Sequence, residues 1–198
     1  MNGERETFLK RLKQFGEAND RTAATRAEKM LNITEDTGLM IGMLIRAWKP
    51  ARILEVGTSN GYSTIWWADA LTAPTQRFVT LETNPRKVAQ ATENFRQAGL
   101  ADRIDMVSGD AGVFLRESDA DEWDLIFLDA ERSAYVGYWP DLVRILASDG
   151  LIIVDNAVDK AVELEEFRRV VADTAEFRQV LVPLGNGELF VQRDRSMA

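Results

Sequence analysis

From Arg52 onward the chain alternates short apolar runs with amphipathic stretches, and each run closes on or near an acid. The runs are RILEV, RFVTLE, IDMVSGD, DLIFLD and LIIVD, and their acids are Glu55, Glu82, Asp110, Asp129 and Asp155. A strand that is apolar almost throughout needs cover on both faces, and strands separated by helices join in parallel. The pattern predicts a doubly wound, mostly parallel α/β sheet with helices over 63–71, 85–98, a short stretch after Asp110, 135–146 and 162–173. Asn84-Pro85 is a strong helix start and Gly99 a matching stop. The tail breaks the rhythm: FRQVLVPL, a Gly185-Asn186-Gly187 turn and ELFVQR predict a hairpin that adds an antiparallel strand at the sheet edge.

Upstream, Phe8, Leu9, Leu12 and Phe15 sit at helical spacing, and Ala23, Ala24, Ala27, Met30 and Leu31 repeat it. Thr34 is the expected N-cap of a further helix that stops before Pro50. With no repeat, low-complexity stretch or linker, the expectation is one domain over 1–198, with N-terminal helices in 1–50 and the α/β core in 51–198.

Composition narrows the chemistry. The 198 residues contain no Cys and no His, which excludes disulfides, thiolate or imidazole metal sites, a cysteine nucleophile and His-based triads. A formal charge of −8 disfavours a bulk electrostatic grip on nucleic acid or an anionic membrane. No run approaches the roughly 18 apolar residues of a membrane span. The opening MNGERETFLKRLKQF carries charges where a signal peptide needs an apolar core, so a cytoplasmic location is expected.

In doubly wound sheets ligands bind outside the carboxyl ends of the strands. Five acids gathered there repel one another unless they meet donors or positive charge. The first unit, Glu55-Val56-Gly57-Thr58-Ser59-Asn60-Gly61-Tyr62-Ser63, is a Gly-rich turn that lets a ligand approach the backbone. Its glycines are four apart with no third, so it is neither the dinucleotide G-x-G-x-x-G nor a Walker A loop. Glu82, at the end of the second strand, stands where an acid accepts both hydroxyls of a ribose. The pair points to a nucleoside with a free ribose diol; the blander alternative is a tight turn followed by a solvated Glu. Asp129, Asp155 and Asn156 offer two carboxylates and an amide carbonyl, an oxygen-only set suited to Mg²⁺ or a similar hard cation, against the alternative that Asp155-Asn156 merely starts a turn.

In order and spacing, E-x-G-x-x-x-G-Y-S, TLETNP, SGDA, LDA and VDN resemble the S-adenosylmethionine-dependent O-methyltransferases of the catechol and caffeoyl-CoA type. The resemblance runs from about residue 30 to the C-terminus. It implies a seven-stranded Rossmann-like methyltransferase fold with S-adenosyl-L-methionine along the carboxyl edge. By position, Gly57 and Ser63 would hold the methionyl end, Ile33 would give its carboxylate a backbone contact, Glu82 would take the ribose, and Asp110 with Ala111 the adenine. Glu55 and Asp129 complete the expected cofactor set, Asp129, Asp155 and Asn156 the implied metal set, and Arg132 and Asp129 the implied catalytic pair. One departure stands out: Arg132 falls where the family usually has a catalytic Lys. Arg stays charged and offers no acceptor, so it can stabilise a phenolate or bind an acidic substrate but is a poor general base. The stretch 156–162 is also shorter than the substrate loop of many relatives.

The leading expectation is therefore a cation-dependent O-methyltransferase acting on a small catechol-like aromatic. Two alternatives are a methyltransferase for a hydroxylated tRNA base and a nucleoside-binding protein without turnover. Arg5, Lys10, Arg11, Lys13, Arg21, Arg26 and Lys29 make the N-terminal region locally basic, a pattern more often a solvated helix face than an RNA surface. Trp66, Trp67, Tyr135, Tyr138 and Trp139 suit core or a subunit interface better than an aromatic pocket. The aromatic surplus and the extra N-terminal helices suggest a homodimer.

Overall fold

A computed structural model describes residues 3–194. The strands are β1 (Arg52–Val56), β2 (Arg77–Glu82), β3 (Ile104–Ser108), β4 (Trp123–Leu128), β5 (Leu146–Val154), β6 (Phe177–Val182) and β7 (Glu188–Arg193). The helices are α1 (Gly3–Thr22), α2 (Glu35–Trp48), α3 (Tyr62–Ala68), α4 (Pro85–Gln97), α5 (Ala111–Glu117), α6 (Tyr135–Ile145) and α7 (Glu165–Asp173). One seven-stranded sheet has the order β3-β2-β1-β4-β5-β7-β6. β1 to β5 pair in parallel, and β7 runs antiparallel between β5 and β6. This is the Rossmann-like methyltransferase architecture, with the expected hairpin supplying the inserted strand.

Strand periodicity of two decides what each helix covers. Ile53, Phe78, Leu125, Phe127 and Ile153 face α1 to α4, where they meet Leu9, Ile41, Ile65, Trp67 and Phe95. Their neighbours Leu54, Val79, Ile126 and Ile152 face α5, α6 and α7 and pack on Leu115, Trp139, Leu142 and Phe167. Trp67 is fully buried, its ring edge-on to Phe127 with centroids 4.5 Å apart. Tyr135 and Trp139 belong to the opposite core layer, so these aromatics hold the sheet between its helices.

Local signals place most element ends. Thr34 caps α2 by accepting from the Thr37 N–H at 3.2 Å, and Asn84 caps α4 ahead of Pro85. The helical spacing over 23–31 does not give a helix. α1 stops at Thr22, and only a 3-10 turn, Arg26–Glu28, follows before α2. Side chains outcompete the helix for its backbone donors. The Asp20 carboxylate accepts from the N–H groups of Met30 and Leu31 at 2.6 and 2.8 Å, and Glu28 accepts from Ala24 and Thr25. The last helix also starts later than the apolar spacing suggests, at Glu165 rather than 162. The segment before it runs as turns because the hairpin tip holds it: Ala157 donates to the Gly187 carbonyl at 2.7 Å and Val158 to that of Asn186 at 3.0 Å. Among the described residues, no helix is long and apolar enough to cross a membrane.

Candidate active site

The chain runs outward from β1 through β2 to β3 and then crosses back to β4 on the other side of β1, and this reversal opens a crevice at the carboxyl ends of β1 and β4. A cavity of about 500 Å³ lies there, within the usual range for small-molecule sites. Its walls are the β1–α3 turn, the ends of β2 and β4, the residues after β5, and the segment 26–33 folded across from the N-terminal side. That segment is fastened to the Gly-rich turn, where the Ser59 hydroxyl donates to the Met30 carbonyl at 2.7 Å.

The turn needs its glycine. Gly57 has φ +108°, and a Cβ there would lie 2.2 Å from the Asp129 carbonyl oxygen. The ends of β1 and β4 approach this closely only because no side chain intervenes.

Glu82 ends β2 with its carboxylate in the cavity wall, oriented by three backbone donors. Ser59 N–H reaches Oε2 at 2.9 Å, and the N–H groups of Thr83 and Asn84 reach Oε1 at 3.0 and 2.9 Å. Glu55 behaves differently, although it carries the same charge one strand away. It precedes the last residue of β1 and points beneath α3, fully buried, with hydroxyl donors Ser63, Thr64 and Thr80 on its two oxygens. Burial pushes its carboxyl up to about 7 despite those bonds.

At the other end of the cavity Asp129 follows β4, and Asp155-Asn156 follow β5. The Asn156 amide nitrogen lies 2.6 Å from Asp155 Oδ2 and 3.4 Å from Asp129 Oδ1, so the amide bridges the two acids. Asn156 reaches this position with φ +66°, a left-handed conformation that Asn tolerates better than most residues. Glu188, at the start of β7, is fully buried beside Asp155 and accepts from the Thr37 hydroxyl at 2.7 Å. Burial and the neighbouring carboxyls push Asp129 and Asp155 above the usual carboxylate range and Glu188 up to about 10. Asp155 and Glu188 share a side-chain hydrogen bond, which favours the ionised form of Asp155 and the protonated form of Glu188. Arg132 is 5% exposed, and its positive charge opposes the rise at both aspartates.

A divalent cation fits this donor set. Two carboxylates and an amide converge within hydrogen-bond reach, and turning the amide by 180° presents its oxygen to the acids, two orientations that differ only in which atom is nitrogen. Among the described residues no group of three or more His, Cys, Asp or Glu side chains is placed to hold a metal ion, so a cation here would rest on Asp129, Asp155 and the Asn156 amide.

Ile33, Gly57, Ser63, Glu82, Ala111, Asp129, Arg132 and Asn156 all line the one cavity. Asp155 stands directly behind Asn156. Two expected cofactor contacts are not among the wall residues, although Asp110 stands between the wall residues Gly109 and Ala111. Glu55 is sealed beneath α3 as a support of the turn. Asp110 is exposed and serves as the N-cap of α5, accepting from Val113 N–H at 3.0 Å. The five aromatics Trp66, Trp67, Tyr135, Tyr138 and Trp139 are absent from the cavity wall, which carries Tyr62 instead. Local sequence reading missed Glu188, which looks like a solvated hairpin residue, and the wall positions Lys87 and Lys160. Of the basic N-terminal residues, Arg5, Lys10 and Lys13 pair with Asp69, Glu6 and Glu35, consistent with a solvated, ion-paired face.

Comparison with known proteins shows the family and the fold. Residues 4–194 match the family described as O-methyltransferase. A catechol O-methyltransferase of Mycobacterium tuberculosis is 35% identical over 126 residues, 64% of this chain and 57% of that protein. Another, from Niastella koreensis, is 33% identical over 139 residues, 69% of this chain and 62% of that protein. The chain thus covers less than two thirds of either relative's length. The crystal structure of an SAH-bound methyltransferase of Podospora anserina has the same fold, with a TM-score of 0.82 at 22% identity, covering 98% of this chain and 88% of that one. With a family match that extends from α1 to the last residue of the described chain, this protein belongs to the O-methyltransferase family.

Proposed function

We propose that the chain transfers a methyl group from S-adenosyl-L-methionine to a hydroxyl of a small catechol-like aromatic, with a Mg²⁺-like cation held by Asp129, Asp155 and Asn156. The observation that carries this reading is a single cavity with two chemically distinct ends: an oriented carboxylate beside a Gly-rich turn, and an oxygen-donor cluster beside a buried guanidinium. The relatives named catechol O-methyltransferase support the acceptor, and the SAH-bound structural neighbour supports the cofactor.

At the first end, Glu82 accepts the ribose hydroxyls, because its lone pairs are already aimed by Ser59, Thr83 and Asn84. Gly57, Ser63 and Ile33 bound the methionyl portion, and Ala111 with Gly109 bounds the base. At the second end, a bound divalent cation would supply Lewis acidity that chelates vicinal oxygens and lowers the pKa of the attacking hydroxyl. The buried Arg132 guanidinium stabilises the negative charge on the acceptor oxygen by proximity. In this reading no side chain acts as the base: the hydroxyl proton leaves to solvent, the cofactor's S–CH3 bond breaks as the O–CH3 bond forms, and the chain's residues fix the acceptor oxygen in line with the methyl group. We also infer a homodimer working in the cytoplasm. The ion pairing of Arg5, Lys10 and Lys13 supports a small-molecule acceptor over tRNA.

The test is a methyl-transfer assay over catechols and tRNA, with Mg²⁺ and with chelator, alongside calorimetry of cofactor binding. Catechol methylation that chelator abolishes, with cofactor binding largely retained, is the expected result. Transfer that survives both chelator and Asp155→Ala would overturn the cation assignment, and cofactor binding with no transfer to any acceptor would leave a nucleoside-binding protein.

A further inference from the structure

Behind the cavity stands a carboxyl that the transfer chemistry leaves without a task. Glu188 opens β7, is fully buried and lies outside the cavity wall, so it cannot meet cofactor or acceptor directly. Burying a carboxyl is costly unless its hydrogen bonds are met. Thr37, itself fully buried in the first turn of α2, donates its hydroxyl to Glu188 Oε1 at 2.7 Å and lies 3.0 Å from the Thr34 hydroxyl. That leaves the buried Oε2 for Asp155, with which Glu188 shares a hydrogen bond.

The backbone around Glu188 is clamped on both sides. On one side the hairpin tip grips the segment after β5: Ala157 N–H donates to the Gly187 carbonyl at 2.7 Å, and those of Val158 and Asp159 to the Asn186 carbonyl at 3.0 and 3.1 Å. On the other it lies hard against α2, where a Cβ on Gly185 would stand 2.3 Å from Thr34 Oγ1 and 2.6 Å from Thr37 Oγ1. Glu188 joins the two sides through its own carboxyl, with Thr37 at one oxygen and Asp155 at the other.

Asp155 needs such a link. It is 3% exposed, and its other side-chain donor is the Asn156 amide nitrogen, 2.6 Å from Oδ2. That nitrogen turns away when the amide presents its oxygen to a cation, which leaves Glu188 as the side-chain donor on Asp155. Glu188 is not a third ligand: among the described residues no group of three or more carboxylates is placed to hold a metal ion. We propose that Glu188 is a positioning residue, which takes its own orientation from Thr37 and holds Asp155 turned towards Asp129 and Asn156 for the cation. This rests on the cation reading above and adds to it the partner that fixes one ligand.

The test titrates the whole chain with Mn²⁺, followed by electron paramagnetic resonance of the free ion, and in parallel with S-adenosylhomocysteine by calorimetry. Partners that orient a ligating carboxylate are worth roughly 10- to 100-fold in metal affinity, so Glu188→Leu is expected to weaken Mn²⁺ binding by that factor and to leave S-adenosylhomocysteine affinity unchanged. Glu188→Gln is expected to bind Mn²⁺ as the parent does, because its amide accepts from Thr37 and donates to Asp155. Thr37→Val keeps the shape and removes the hydroxyl, with an expected loss of roughly 2- to 10-fold, and it decides the matter if Glu188→Leu does not fold. Parent-like Mn²⁺ affinity in Glu188→Leu or in Thr37→Val would overturn the proposal. So would Glu188→Gln binding as weakly as Glu188→Leu, which would make the carboxylate's charge the contribution, or a matching loss of S-adenosylhomocysteine affinity, which would mark a general loosening of the fold. Asp155→Ala separates this proposal from the reading beneath it. Mn²⁺ binding lost in Asp155→Ala but kept in Glu188→Leu removes the positioning role alone. A parent that binds no Mn²⁺, or binding that Asp155→Ala leaves intact, removes the cation site and the proposal together.

Discussion

Glu55 makes the stability of this fold depend on pH in a direction opposite to that of ordinary surface carboxylates. Its carboxyl is raised from 4.5 to about 7 in the folded chain by burial, against three hydroxyl bonds that favour the ionised form. A group raised in the folded state contributes its full stabilisation below its unfolded value and loses it as pH climbs through its folded value. For Glu55 that window runs from about pH 4.5 to just above pH 7, and the loss amounts to roughly 3 kcal/mol at 1.36 kcal/mol per pH unit. Asp129, Asp155 and Glu188 are also raised and add slopes of the same sign, so the parent protein alone cannot isolate Glu55. Glu55→Gln can, because glutamine keeps the shape and an acceptor oxygen but does not titrate. The assay is urea unfolding of both proteins from pH 5 to pH 9. The parent's stability relative to the variant should fall by about 3 kcal/mol across the window and then level off. Two curves that stay parallel from pH 5 to pH 9 would refute the reasoning, since Glu55 would then titrate alike in the folded and unfolded chains.

Gly57→Ala combines a left-handed φ of +108° with a Cβ 2.2 Å from the Asp129 carbonyl. It should cost on the order of 2 kcal/mol or more in thermal unfolding and sharply reduce S-adenosylmethionine affinity, and unchanged affinity would remove the close-approach argument. Glu82→Gln retains an acceptor for the backbone donors but weakens the ribose site, so cofactor affinity by calorimetry should drop roughly 10- to 100-fold; parent-like affinity would reassign the ribose to another group. Trp67→Ala empties a fully buried position against Phe127, with an expected loss of about 3–5 kcal/mol by denaturant unfolding, and a loss under about 1 kcal/mol would mean that the layer collapses around the gap.

The sequence by itself determined the layers of this protein. Near-continuous apolar strands such as RFVTL and LIIV, interrupted by helical spacing and by caps at Thr34 and Asn84, admit hardly any arrangement except a sheet covered on both faces. Its acids at the strand ends named the crevice, and Glu82, Asp129 and Asn156 do line it. Tertiary structure decided which acids face the cavity. Glu82 closes β2 and Asp129 comes one residue past β4, where the backbone is free to turn into the crevice, while Asp155, one residue past β5, is buried behind Asn156. Glu55 sits one residue short of the end of β1, so the strand's alternation sends it under α3, and Asp110 caps α5 between the wall residues Gly109 and Ala111. The segment 23–31 has the spacing of a helix, but Asp20 and Glu28 take its backbone donors and lay it across the cavity instead. Glu188 looks like a solvated residue beside a hairpin turn until β7 inserts next to β5 and the turn docks on α2, burying its carboxyl between Thr37 and Asp155. Local periodicity records which residues prefer to be buried; which partners they meet depends on contacts between segments up to about 150 positions apart, and only the assembled chain specifies those.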